Sequence, residues 1–183
     1  MLDLSLLPMS DDAVRIRTMT HADAAAYADG TNDEAVRTYA HLPAPEYTRE
    51  SVIEMVDGVV AEGLARGVLA VLTIADTATD RFVGSMVIFD VTQDTAEIGF
   101  WLRPEVRGRG LTVAALALVS QFAECSGLRA LTARTTIDNR ASQRALSQGG
   151  FVSAHRGIGM TPSGSETELI HYERVFSEGD GRG

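Results

Sequence analysis

Three runs rich in β-forming residues, Val68–Ala75, Phe82–Val91 and Ala96–Leu102, are joined only by Asp76–Asp80 and Thr92–Asp94. Strands tied this tightly must return antiparallel, because a parallel return needs a crossover of about a dozen residues or more. A meander is therefore the first constraint on the fold. The next segment breaks the pattern: Leu111, Ala115, Leu118, Phe122 and Cys125 repeat at helical spacing over Leu111–Ser126, Gly127 stands where that helix would stop, and Arg129–Ile137 is again a strand. Strand 96–102, helix 111–126 and strand 129–137 thus form the one crossover in which a parallel pair is expected. Ala13–Met19 alternates with period two and adds a strand in front, while Phe151 onward and Thr167–Phe176 add two behind. Helices are expected over His21–Tyr39, Arg49–Ala65 and Asn139–Gln148, the second with Val52, Met55, Val56 and Val59 on one face and Gly67 as its stop. The fold class is α/β (α+β): a mixed, mainly antiparallel sheet of six to seven strands flanked by about four helices. Neither a repeat nor a dividing linker is present, so 13–176 reads as one domain, after a flexible segment 1–12 and before a loose tail from Ser177.

Several functional classes are excluded early. The first twelve residues hold no Lys or Arg and only Leu4–Pro8 as an apolar stretch, which is not the pattern of a signal peptide. No run approaches the roughly 18 apolar residues of a membrane span, so a cytoplasmic protein is expected, with no membrane partner. Cys125 is the single cysteine, which leaves no internal disulfide and no multi-cysteine metal site; its helical position predicts core packing.

The crossover opens with Arg103, Pro104, Glu105, Val106, Arg107, Gly108, Arg109, Gly110, Leu111 and Thr112, directly after a strand and directly before a helix. Gly108 and Gly110 lack a Cβ, so main-chain N–H groups can turn inward and a bulky ligand can approach. The first helical turn beyond them offers unpaired N–H donors carrying about half a positive charge. Arg107 and Arg109 add full charges. These features suit a diphosphate, although an isolated Gly-Arg-Gly would serve a plain turn equally well. A P-loop fails because it needs a lysine, and all 16 basic residues are Arg. A dinucleotide fold fails as well: it needs a third glycine where Val113 stands and an acid about 20 positions on, near Arg129.

At this point the chain resembles the GNAT superfamily of acyl-CoA transferases, and within it the Rim-like branch that acetylates amino groups of ribosomal proteins. The likeness runs over Val14–Met19 with His21–Asp23, Phe82–Ser85, Ala96–Leu102, Arg107–Gly110, Asp138–Ser142 and Gly150–Phe151. At the turn the family pattern is Arg or Gln, two residues, Gly, one residue, then Gly or Ala; Arg107 and Gly110 fit it, and Thr112 departs from it. The resemblance implies a GNAT fold whose central parallel pair splays apart, with acetyl-CoA (coenzyme A) as co-substrate and no metal. Pantetheine would lie in the gap as a substitute strand. The implied cofactor contacts are Trp101, Leu102, Arg107, Gly108, Arg109, Gly110, Leu111, Thr112, Asn139 and Ser142. Asn139 would hold the pantetheine arm, yet an Asn at that place is equally an N-cap accepting the N–H of Ser142.

Direct attack of a neutral amine on a thioester calls for a base, an oxyanion donor and an acid for the leaving thiolate. Many relatives carry the acid as a Tyr seven residues after the Asn; Leu146 stands there, so Ser142 becomes the candidate. Glu97 shares a strand face with Gly99 and Trp101 and is the candidate base, with an ion pair to an Arg as its alternative role. A main-chain N–H near Phe100–Leu102 is the candidate oxyanion donor. His21, His41, His155 and His171 show no metal spacing and carry no assigned role.

Net charge is −9, unevenly spread: residues 1–102 hold six Arg against seventeen acids, and residues 103–156 hold eight Arg against three. On this basis the positive block would receive the anionic cofactor, and the acidic helices 21–39 and 49–65 would face a cationic amine. Overall acidity speaks against nucleic acid as a partner. The expected reaction is acetyl transfer to a primary amine, either a protein N-terminal α-amine or a small cationic amine such as a polyamine or aminoglycoside. A non-catalytic CoA-binding module is the third class, and a homodimer is left open.

Overall fold

Eight strands form one sheet: β1 (Met9–Ser10), β2 (Val14–Thr18), β3 (Ala70–Asp76), β4 (Phe82–Phe89), β5 (Thr95–Leu102), β6 (Ala130–Thr136), β7 (Val152–Met160) and β8 (Glu166–Val175). Their order across the sheet is β1-β2-β3-β4-β5-β6-β8-β7, antiparallel throughout except for β5 beside β6. This computed structural model describes residues 1–40, 42–161 and 166–176; His41 and the tail from Ser177 lie outside the described residues.

The parallel pair is short. It runs from Thr95↔Ala130 to Ile98↔Ala133, whereas β5 stays paired with β4 as far as Leu102 and β6 with β8 as far as Thr136. Each strand follows the twist of its own outer partner, so the two diverge beyond Ile98. The splay expected at this place is therefore present.

Among the described residues six α-helices flank the sheet: α1 (Ala24–Gly30), α2 (Glu34–Tyr39), α3 (Arg49–Met55), α4 (Ala61–Arg66), α5 (Leu111–Cys125) and α6 (Arg140–Gln148). The two expected N-terminal helices are each broken in two. After Gly30 the chain restarts with Asp33 as an N-cap that accepts the N–H of Val36. A wider π turn over Val56–Val60 joins α3 to α4, with Gly58 at φ −99 and ψ −106. Gly67, at φ 63, closes α4 as expected.

Strand alternation sends apolar side chains to both faces of the sheet. On one side Ile16, Leu72, Met86, Ile88 and Ile98 pack under α5, through Leu116, Val119 and Phe122, and reach Leu146 of α6. On the other, Val71, Phe82 and Trp101 meet Tyr27, Val36, Val52 and Val60 from α1, α2, α3 and the π turn. Residues 1–12 are not a free lead-in: Leu2 is buried in the first cluster, with Leu4, Leu6 and Leu7 against it, and Met9 pairs with Ile16. That short strand raises the count to eight. Cys125 also departs from expectation, because it is exposed. The arc of α5 that is buried centres between Ala115 and Ala123, and at about 100° per residue Cys125 falls roughly 120° away from its middle. Among the described residues no helix is long and apolar enough to cross a membrane.

Candidate active site

The connection from β5 to α5 places two glycines in the left-handed region, Gly108 at φ 76 and Gly110 at φ 77. A Cβ built on either would meet no atom within 4 Å. Backbone conformation, not crowding within the chain, therefore calls for glycine at both. Among the described residues no acceptor takes the N–H of Gly108, Arg109, Gly110, Leu111 or Thr112; the first pairings are Val113 and Ala114 donating to the Gly110 carbonyl. These five consecutive donors lie at the start of a fifteen-residue helix, the kind of main-chain arrangement that suits an anion.

Arg107, expected to lend its charge to a phosphate, has other partners. Its Nε and Nη2 donate to the Leu102 carbonyl at 3.1 and 2.9 Å, and Nη2 also pairs with Asp33. The Arg107 hydrogen bond holds the Asp33 carboxyl below its ordinary range. Arg107 thus ties the turn to the α1–α2 connection. Arg109 is exposed and donates to the Glu105 carbonyl. Arg144 of α6, which the sequence reading passed over, lines the cavity described next. Its signal was helical spacing: Ala141, Arg144, Ala145 and Gln148 share one face.

A cavity of about 970 Å³ passes through the splay and joins the two faces of the sheet. One mouth is formed by Gly108, Gly110, Leu111 and Thr112 with Asn139, Ser142 and Arg144 of α6; the other by Tyr27, Tyr39, Tyr47, Met55 and Val59. The Arg103 N–H donates to the Val83 carbonyl, so alternation along the ladder directs Trp101 and Gly99 main-chain groups to β4 and those of Phe100 and Leu102 to the gap. Trp101, expected beside Leu102 as a cofactor contact, lines the cavity with its ring, which packs edge-on against Tyr27 at 5.3 Å and tilted against Phe82 at 5.7 Å, while its main chain is turned to β4. Phe100 takes its place at the open edge. Asn139 Oδ1 accepts the Ser142 N–H at 3.0 Å, the capping role foreseen, and its amide group has no partner among the described residues. Leu146 is fully buried in the core, so no phenol stands at that position.

Glu97 lies on the same sheet face as Gly99 and Trp101, and its side chain is 15% exposed. Arg134 Nε donates to its Oε1 at 2.7 Å. Burial pushes the carboxyl above the ordinary glutamate range, and Arg134 offsets part of that rise. The ion pair and the cavity position coexist. Arg134 pairs in register with His171, and His171 with His155, whose rings stack at 4.0 Å. Burial, then His155 and Arg134, lower the His171 pKa. Among the described residues no cluster of His, Cys, Asp or Glu is arranged to hold a metal.

The acetyltransferase (GNAT) domain profile matches residues 13–152. The chain belongs to the GNAT acetyltransferase family. The GNAT fold extends over nearly all of it. The ribosomal-protein-S5-alanine acetyltransferase of Vibrio fischeri superposes with a TM-score of 0.79 at 15% identity, covering 94% of this chain and 98% of that one. RimJ of Mycobacterium smegmatis, in complex with CoA-disulfide, gives 0.76 at 20% identity over 92% and 84%. An acetyl transferase of Salmonella typhimurium that modifies the N-terminal serine of ribosomal protein L7/L12 gives 0.77 at 17% identity over 91% and 97%. No curated protein matches the sequence.

Within this GNAT domain two glycines have a role that sequence spacing did not reveal. A Cβ on Gly30 would lie 2.5 Å from the Trp101 ring, and one on Gly84 would lie 2.3 Å from the Trp101 carbonyl. Both let Trp101 settle at the edge of the gap.

Proposed function

We propose that this GNAT enzyme transfers an acetyl group from acetyl-CoA to a primary amine, a protein N-terminal α-amine being the favoured acceptor. The row of unpaired N–H groups from Gly108 to Thr112, beside a gap that leads through the sheet, carries this reading. Residues present fit an anionic, elongated donor: the row of N–H groups suits a diphosphate, and the open β5 edge, the Phe100 main chain and the Leu102 N–H beside the Leu102 carbonyl that Arg107 holds, suits an amide-bearing arm. When bound, acetyl-CoA supplies the reactive thioester.

The chain's own groups then have distinct tasks. The Asn139 amide, the Phe100 main chain and the Leu102 N–H orient the arm, and an N–H on that edge is placed to stabilise a developing oxyanion. Glu97, held by Arg134, accepts the amine proton directly or through water; an α-amine, with a pKa near 8, needs little help. The Ser142 hydroxyl hydrogen-bonds the leaving thiolate and passes it a proton, directly or through water, with water restoring the hydroxyl. Support for an α-amine acceptor comes from the ribosomal-protein acetyltransferases that share the fold.

Calorimetric titration with CoA, followed by a thiol-release assay with acetyl-CoA and a panel of amines, tests the proposal. Turnover on an N-terminal peptide supports it, and binding without turnover on any amine would point to a CoA-binding module. Absence of CoA binding sinks it. Ser142→Ala should lower kcat with the CoA Kd unchanged; an unaltered kcat removes Ser142 from its role.

A further inference from the structure

We propose that the acceptor half of the cavity takes a single amine carried next to an apolar or aromatic group, and selects against polycations. The inference rests on the acetyltransferase reading above and names the substrate class of the same site. Helices 21–39 and 49–65 do wall the cavity, as their place in the sequence suggested, but their acids do not reach it. Asp29 pairs with Arg103, Asp33 with Arg107 and Asp57 with His21; Glu34, Glu50, Glu54 and Glu62 are exposed and off the cavity wall. Glu46 and Glu97 are the acids that line it, against Arg107, Arg134 and Arg144, and Glu97 is already held by Arg134.

The remaining surface on that side is apolar. Tyr39 and Val59, two of the large hydrophobic residues left exposed, both line the cavity, with Met55, Val87, Phe89 and Trp101. Apolar side chains left uncovered in a concave site are what an apolar ligand group would cover. A second ammonium brought against this wall would lose water and meet only Glu46, which is exposed and has no partner among the described residues, and a third would find no further unpaired carboxylate. One polar group is free to mark orientation: Tyr27 is 4% exposed, lines the cavity, and its hydroxyl has no hydrogen-bond partner among the described residues. It can receive one hydrogen bond from an amine, or donate one to the first carbonyl of a peptide.

The test compares kcat/KM at saturating acetyl-CoA for peptides beginning alanine-phenylalanine and alanine-leucine and for 2-phenylethylamine, against peptides beginning alanine-aspartate and alanine-lysine, spermidine and kanamycin. Apolar acceptors should lead by about tenfold or more, the usual worth of a side chain moved from water into such a pocket. Val59→Glu, at a position 57% exposed, should fold normally by thermal melt, lower the apolar acceptors by a similar factor and narrow their lead over spermidine. The peptides leading assigns a protein N-terminus as the source of the amine; 2-phenylethylamine leading assigns a small molecule. Spermidine or kanamycin as the best acceptor, or a ranking untouched by Val59→Glu, overturns the proposal while leaving the acetyltransferase reading intact. Acetyl-CoA binding without turnover on any amine overturns both.

Discussion

Replacing Gly110 by Asp separates folding from donor binding. Gly110 is the N-cap of α5 at φ 77 and ψ 0, and a Cβ there meets no atom within 4 Å. Aspartate is among the L residues that enter the left-handed region with least strain. A strain of about 1 kcal/mol is the main folding cost, because a capping bond forms from the extended region and this position is left-handed, so the melting temperature should fall by only a few degrees. Binding should respond very differently. The new carboxylate would stand beside any bound diphosphate and crowd it from an N–H donor. Two like charges about 4 Å apart repel by ~1 kcal/mol in water and ~4 kcal/mol at an effective dielectric near 20. A lost charge-assisted hydrogen bond adds ~1.5 to 3 kcal/mol. The sum, roughly 2.5 to 7 kcal/mol, corresponds to about two to five powers of ten in Kd, with the open mouth favouring the lower end. Calorimetry should compare CoA with S-acetylpantetheine, which lacks the diphosphate. CoA affinity should collapse and S-acetylpantetheine affinity should hold. A CoA Kd within threefold of the parent value, or equal losses for both ligands, would refute an anion site at this turn.

Three further outcomes are expected. Asn139→Asp keeps the cap on Ser142 and removes the amide donor, so stability should hold while CoA affinity drops, whereas Asn139→Ala should lose about 1 kcal/mol of stability as well; equal melting temperatures for the two would deny the cap. Glu97→Gln should lower kcat, more for an alkyl amine than for an α-amine, and remove the carboxyl's share of the acid limb while leaving that of the acceptor amine, because a carboxyl raised by burial loses its charge as pH falls through that raised value. In stability the same raised value means that folding is favoured below the ordinary glutamate range and weakens as pH climbs to it, a decline that the Gln variant should lack. Asp23 is buried, and although burial raises its pKa, hydrogen bonds from Arg17, the Thr20 N–H and Thr73 bring it below the ordinary range; its contribution is present above that range and lost on acidification. Asp23→Ala should therefore cost about 3 kcal/mol in urea unfolding at pH 7 and much less at pH 2, and equal losses at both would contradict the linkage.

Local requirements were open to sequence reasoning. The meander followed from connections too short to cross over, and the turn before α5 from two glycines between a strand and a helix, because both are matters of backbone within about ten residues. The Asn139 cap was legible for the same reason. Helix breaks at Gly30 and Gly58 were less so, since a helical pattern of apolar residues persists across each interruption.

Side-chain partners distant in sequence were the other matter. Arg107 looked like a free charge from its neighbours, and it took the packing of the α1–α2 connection against the turn, 74 residues away in sequence, to give it Asp33. The acidic balance of the first half promised an electronegative acceptor wall, yet composition counts charges without saying which way they face. Folding turned Asp29, Asp33 and Asp57 to basic partners and left Tyr39, Met55 and Val59 on the cavity. The sequence by itself determined the glycine turn and its row of unpaired N–H groups before α5, because main-chain N–H groups and φ angles are set where they stand. The surface offered to the acceptor is assembled from α1, α2, α3, the π turn and β5, and its character was decided only when these elements met.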